Sequence, residues 1–189
     1  FMHICGYDVN QRIERYASVL SELEGSHSLE TPISAVDLGP EEKSEMLQVL
    51  DGDIYLMTAR RRNHLLLRLD AFLGDGAATY VNGLLTIEHV LPQTVDPASD
   101  WQALWPDEAL RKRWVHRLAN LVPLTQTRNS KAQNYDFDTK KSAYFGGKHG
   151  VSSYVLTTQV LNSASWTPAI VSQRQLDLID VLANRWDLK

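Results

Sequence analysis

The chain has 189 residues, 43% of them hydrophobic, a formal net charge of −4 and a single cysteine, Cys5. This composition suits one large or two small globular domains with ample material for a core, and one thiol excludes both an internal disulfide and a cysteine-based zinc cluster. No apolar run approaches the roughly 18 residues of a membrane span and no secretory leader is visible, so a cytoplasmic protein is expected; the opening Phe1 reads as part of a longer protein with a domain upstream.

Residues 8–23 place Val9, Ile13, Tyr16, Ala17 and Leu20 at helical spacing, which predicts an amphipathic helix. A polar loop follows at 25–32. Gly39-Pro40-Glu41-Glu42 opens a second helix, with proline and acids in its first turn. It runs through Met46, Leu47 and Leu50 to a break at Asp51-Gly52-Asp53. Residues 55–72 predict a longer helix with Leu65, Leu66, Leu69 and Phe72 inward. Its Arg60, Arg61, Arg62 and Arg68 suit a solvated face or phosphate contacts, and His64 suits a structural role. After a loop at 74–83, residues 84–91 read as a short strand stopped by Pro92. A turn-rich link at 96–100 leads to a helix over 101–117. Residues 118–124 predict a second strand, and 127–144 a helix with a break near 135–137. A basic loop at 146–151, a short helix over 154–161 and a last helix from Thr167-Pro168 to about Trp186 complete the chain.

Charge is unevenly spread. Residues 1–58 hold three basic residues against eleven acids, a net of −8, whereas residues 110–150 hold nine against two, a net of +7. A local basic segment draws polyanions even in an acidic protein; the same charges also suit solvated helix faces.

Chemistry concentrates between Thr86 and Tyr144. Phosphodiester hydrolysis needs a base to activate water and a divalent cation to neutralise charge on the phosphate. Glu88 offers a hard oxygen ligand for Mg²⁺ or Mn²⁺, and His89 a general base. Adjacent strand residues point to opposite sides, so a twist before Pro92 is needed to bring both to one cleft. Alone, the pair also fits an ordinary surface pair at a strand end. Downstream come Asn120-Leu121, Leu124, Asn129, Lys131 and Asn134.

That order resembles the second strand and helix of HNH nucleases. Thr125 and Arg128 stand where many relatives carry cysteines, so their structural zinc is not expected, and Lys131 is displaced by one residue from the usual lysine. The likeness is closer to one family. IEHVLPQ at 87–93, HRLANL at 116–121, and Asn129-Ser130, Asn134, Phe137, Lys140-Lys141 and Tyr144 resemble the HNH domain that ends GmrSD-type, modification-dependent restriction enzymes. The tail through Trp166-Thr167, Arg174 and Trp186 is similar as well.

The resemblance implies an α+β, mostly helical fold with a ββα-metal (HNH) finger embedded in a helical frame. Residues 1–60 are expected to form a helical linker or docking segment and residues 61–189 the nuclease domain. It further implies a metal-dependent endonuclease that cuts foreign or modified double-stranded DNA in phage defence, beside an upstream nucleotide-hydrolysing domain. His89 is the expected base, and Asn120 the residue that positions the loop and the histidine. Glu88 and Asn129 are the expected ligands of one Mg²⁺ or Mn²⁺, and Arg128, Lys131, Lys140 and Lys141 the expected DNA contacts. His116 suits either support of the site or structure. The competing readings are a non-catalytic DNA-binding module and a protein-interaction module.

Overall fold

The computed structural model describes residues 1–25, 32–74, 85–125, 135–142 and 154–189. Over these the chain is a mostly helical α+β fold around a two-stranded antiparallel sheet. Helices α1 (Met2–Cys5), α2 (Val9–Gly25), α3 (Pro40–Leu50) and α4 (Ala59–Leu73) precede strand β1 (Leu85–His89). Helices α5 (Asp100–Leu104) and α6 (Glu108–Val115) and a 3-10 turn at Leu118–Asn120 lead to β2 (Leu121–Thr125). Helices α7 (Phe137–Lys140), α8 (Val155–Leu161) and α9 (Pro168–Arg185) follow.

Local chemistry explains where several elements start. The Gly39 amide donates to Glu42 Oε2 at 3.0 Å, with Pro40 in the first turn of α3. Thr167 accepts from the Ile170 amide at the head of α9. The helix expected over 101–117 is two helices, because Trp105, which precedes Pro106, is driven out of helical geometry (φ −131°, ψ 65°). Asp107 then caps α6 by accepting from the amides of Ala109 and Leu110. The helix expected over 55–72 starts later, at Ala59, after a 3-10 turn at Ile54–Leu56. The second strand likewise starts at Leu121, because 118–120 coil into a turn. Most of the motif helix expected at 127–144, and most of the loops expected at 25–32, 74–83 and 146–151, lie outside the described residues.

Helix α2 is amphipathic in the reverse sense. Val9, Ile13, Tyr16, Leu20 and Leu23 are exposed, and none of the helix is buried. The helix is held instead by its polar edge. Arg12 donates to the Tyr7 carbonyl, Arg15 reaches the Ala35 and Asp37 carbonyls and Glu42, and Glu22 accepts from Ser34 and Ala35.

Two cores flank the hairpin. The first gathers Ile4, Met46, Leu50 and Ile54 with Leu65, Leu66, Leu69, Leu178 and Leu182, so packing crosses the boundary expected at residue 60. The second is built on Trp101, Trp105, Trp114 and Trp166. In the register Ile87↔Pro123, Glu88↔Val122, His89↔Leu121, paired residues share a face. Ile87 and Leu121 belong to the first core, Val122 and Leu124 to the second. His89 therefore lies on the first face of the sheet and Glu88 on the second.

Candidate active site

The last residues of β1 sit where both cores meet the turn at 118–120, and Asn120 holds the junction. It is fully buried. Its Oδ1 accepts from the Leu91 amide (2.7 Å) and Trp166 Nε1 (3.1 Å). Its Nδ2 donates to the carbonyls of Leu91 and Val115, both at 2.9 Å. Its own carbonyl accepts from the Val90 amide at 2.9 Å. The two residues after His89 are thus tied to one side chain and its backbone. Helix α9 fixes that turn in its place: Gln175 accepts from the Ala119 amide (2.8 Å) and Arg174 donates to the Ala119 carbonyl (3.1 Å).

His89 is 5% exposed. Its Nε2 lies 3.3 Å from His116 Nδ1 and its Nδ1 lies 3.4 Å from Gln93 Nε2. In the tautomer in which the Gln93 amide donates to Nδ1, the His89 proton sits on Nε2 and faces His116 Nδ1. The Tyr55 ring packs edge-on against His89 at 4.1 Å and stacks on His116 at 5.5 Å and 11°. The Tyr55 amide also donates to the His116 carbonyl. Burial first, then the charges of His116, Lys140 and Arg62, push the His89 imidazole down to about 3. It is therefore neutral at pH 7, and the same burial weakens it as a proton acceptor in this enclosed setting. Among the described residues the Nδ1 side is capped by the exposed Gln93.

On the opposite face Glu88 Oε1 accepts from Lys140 Nζ at 2.9 Å, and the same ammonium donates to the His89 carbonyl at 2.7 Å. The pair is largely enclosed, with side chains 3% (Lys140) and 16% (Glu88) exposed. Burial pushes the Glu88 carboxyl up and the Lys140 ammonium down, and their pairing opposes both shifts. Lys140 thus links the two residues of the acid–histidine pair from behind, through one side chain and one backbone carbonyl.

This placement corrects the expectation of Lys140 as a DNA contact: its charge is spent inside the protein because it shares the buried face of α7 with Phe137, one turn away. Lys141 is half-buried and donates to the Ser163 carbonyl at 2.7 Å, over the Phe137 ring. Arg128, Asn129 and Lys131 lie outside the described residues. Among those described, no three His, Cys, Asp or Glu side chains converge as a metal cluster. The donor chemistry still fits a hard cation. Mg²⁺ is commonly held by only one or two carboxylates, with water and phosphate oxygens completing its shell, and Glu88 Oε2 is not the atom that Lys140 engages.

Two side chains at the site carried no role in the sequence reading, Tyr55 and Gln93. Arg62, read there with its neighbours as a solvated or phosphate-contacting face, stands three, four and seven residues before Leu65, Leu66 and Leu69, which marks it as the inward member of that set.

The domain is thus a helical frame around a two-stranded sheet whose first strand ends in Glu88 and His89, one on each face. Residues 42–181 match the family model of the GmrSD restriction endonucleases, C-terminal domain. The chain belongs to that family. No curated protein and no solved structure matches it.

Proposed function

We propose that the domain is a divalent-metal-dependent DNA endonuclease that cuts foreign or modified double-stranded DNA in bacterial phage defence. His89 is the general base: its Nδ1 takes a proton from the attacking water once the Gln93 amide yields that position. The observation that carries this reading is the strand end at His89, pinned through Leu91 by the buried Asn120 in a chain of this nuclease family. Glu88 and Asn129 hold one Mg²⁺ or Mn²⁺, which supplies neutralisation of charge on the phosphate and the leaving oxygen. Arg128 and Lys131 contact the DNA backbone. The domain works in the cytoplasm beside an upstream nucleotide-hydrolysing domain; the docking role expected of residues 1–60 falls to those before residue 42, where the family match begins, since Met46, Leu50 and Ile54 pack into the first core.

The test is plasmid nicking with Mg²⁺, Mn²⁺ or EDTA. Wild type should cut only with metal, and His89→Ala should lose about 10²–10⁴-fold in rate while keeping its circular dichroism spectrum. Equal cutting by the mutant removes His89 as base. Salt-sensitive binding without cutting by wild type supports a non-catalytic DNA-binding module instead. Mn²⁺ titration of Glu88→Ala and Asn129→Ala should show weakened metal binding in both.

A further inference from the structure

Helix α4 carries Arg60, Arg61, Arg62 and Arg68, and one of them borders the candidate site. Arg61 donates to the Ile4 carbonyl and Arg68 lies over Phe72. Arg62 is half-buried, with its guanidinium carbon 4.5 Å from the centre of the Tyr55 ring and Nη1 donating to the Tyr55 carbonyl at 2.9 Å. Tyr55 in turn touches both His89 and His116. One ring thus connects this cation to the proposed base.

A guanidinium is permanently charged and has five N–H donors. Arg62 spends one bond on a carbonyl, its Nε is buried without a partner, and no carboxylate pairs with it among the described residues. Arg15 pairs with Glu42 and Arg117 with Asp51, whereas Arg12, Arg61, Arg111 and Arg174, like Arg62, bond to neutral groups; of these, Arg62 is the one that lies against Tyr55, the ring that touches His89. Holding a partly desolvated cation without a counter-charge is unfavourable. A bound anion removes that cost, and planar bidentate recognition of phosphate is what a guanidinium does best.

We propose that Arg62 binds the scissile phosphate of the DNA, held over the base by its contacts with Tyr55. This rests on the nuclease reading above. Two of the lysines first expected to face DNA, Lys140 and Lys141, are engaged within the protein, while Arg62 borders His89 through Tyr55.

The experiment uses Arg62→Gln, which keeps an N–H donor for the Tyr55 carbonyl but removes the charge, and Arg62→Lys, which keeps the charge and loses the fork. Binding to a short duplex is measured across a salt series in EDTA, and kcat and KM for plasmid nicking are measured with Mg²⁺. Arg62→Gln should flatten the salt slope by about one and lower kcat by about 10²-fold or more. Arg62→Lys should keep the slope and lose part of kcat. A wild-type slope and kcat in a folded Arg62→Gln overturn the proposal. So does a flattened slope at unchanged kcat, which places the contact on another phosphate. If Arg62→Gln does not fold, a folded Arg62→Lys with wild-type kcat overturns it. Failure of the wild type to cut DNA overturns the nuclease reading and this proposal with it, whereas a wild type that cuts beside an unaffected mutant overturns this proposal alone.

Discussion

Replacing Asn120 by Ala tests whether one buried amide sets the position of His89. The side chain makes four hydrogen bonds at 2.7–3.1 Å, to Leu91 N, Leu91 O, Val115 O and Trp166 Nε1. Asn120 is fully buried, so water cannot replace them. At about 1 kcal/mol net per bond, with more where a buried group is left unpaired, the loss is about 4–6 kcal/mol. A domain of this size typically has only about 5–15 kcal/mol in total. The melting temperature should fall by roughly 10–20 °C, at about 2–4 °C per kcal/mol. Thermal and urea unfolding followed by circular dichroism measure it, and nicking assayed well below the new midpoint should still be slowed, because residues 90 and 91 are no longer tied down. Asn120→Asp sharpens the test. The new carboxylate would face the Leu91 and Val115 carbonyls, so burial and those dipoles raise its pKa in the fold above the unfolded value. The penalty is then full at neutral pH and shrinks as pH falls through that raised pKa. An Asn120→Ala protein within about 1 kcal/mol of wild type would refute the argument, since that is the contribution of a single ordinary bond.

Removing either partner of the Glu88–Lys140 pair, as Glu88→Gln or Lys140→Met, should cost about 3–5 kcal/mol, and the double mutant clearly less than the sum; a urea-unfolding cycle that is additive would mean the two are not coupled. Cys5, whose thiol is pushed up to about 11 by burial and by Glu45, should alkylate slowly at pH 8, roughly 10²-fold slower than a free thiol. Its rate should rise with pH toward 11 and become ordinary in denaturant, and fast labelling of the native protein would contradict this.

Much of the site was legible because its signals are local. The Glu88-His89 pair at the end of an apolar run before Pro92, and Asn120 before a second run, fix the hairpin and its end. Period-two alternation sets Glu88 and His89 on opposite faces, and β1 keeps them there, so the twist expected before Pro92 does not bring the two side chains to one cleft. What was not legible depends on long-range packing. Nothing near Val9, Ile13, Tyr16 and Leu20 says that Arg12, Arg15 and Glu22 form the edge that holds α2, because their hydrogen-bond partners lie at 7 and 34–42 in the chain. Lys140 looked like part of a basic face by charge count. Its i−3 spacing from Phe137 marked it as inward, but only the Glu88 carboxylate explains why an ammonium can be buried there. Tyr55 carries no chemical signature of its own and becomes visible through its contacts with His89 and His116.

A two-stranded hairpin has little stability alone, and here each core supplies partners to one residue of the pair. Tyr55, in the turn before α4, and His116, between α6 and the 118–120 turn, meet His89 on the first face; Lys140 of α7 meets Glu88 on the second. A slip of one residue in the pairing would reverse every side chain of β1. It would set Glu88 against Tyr55 and His116 and bring His89 toward Lys140, leaving a buried carboxylate without its cation. The register is locked at both ends against that slip. Thr86 Oγ1 donates to the Leu124 carbonyl (3.1 Å) near the start of β1, and Asn120 grips both polar groups of Leu91 beyond its end. Pro123, opposite Ile87, has no amide to offer, yet its carbonyl is fixed by Thr157 Oγ1 at 2.7 Å. The chemistry assigned to His89 therefore depends less on the strand's own pairing than on polar side chains from outside it, and substitutions at Asn120 or Thr157 should disturb the site while leaving the charge and identity of its reacting groups untouched.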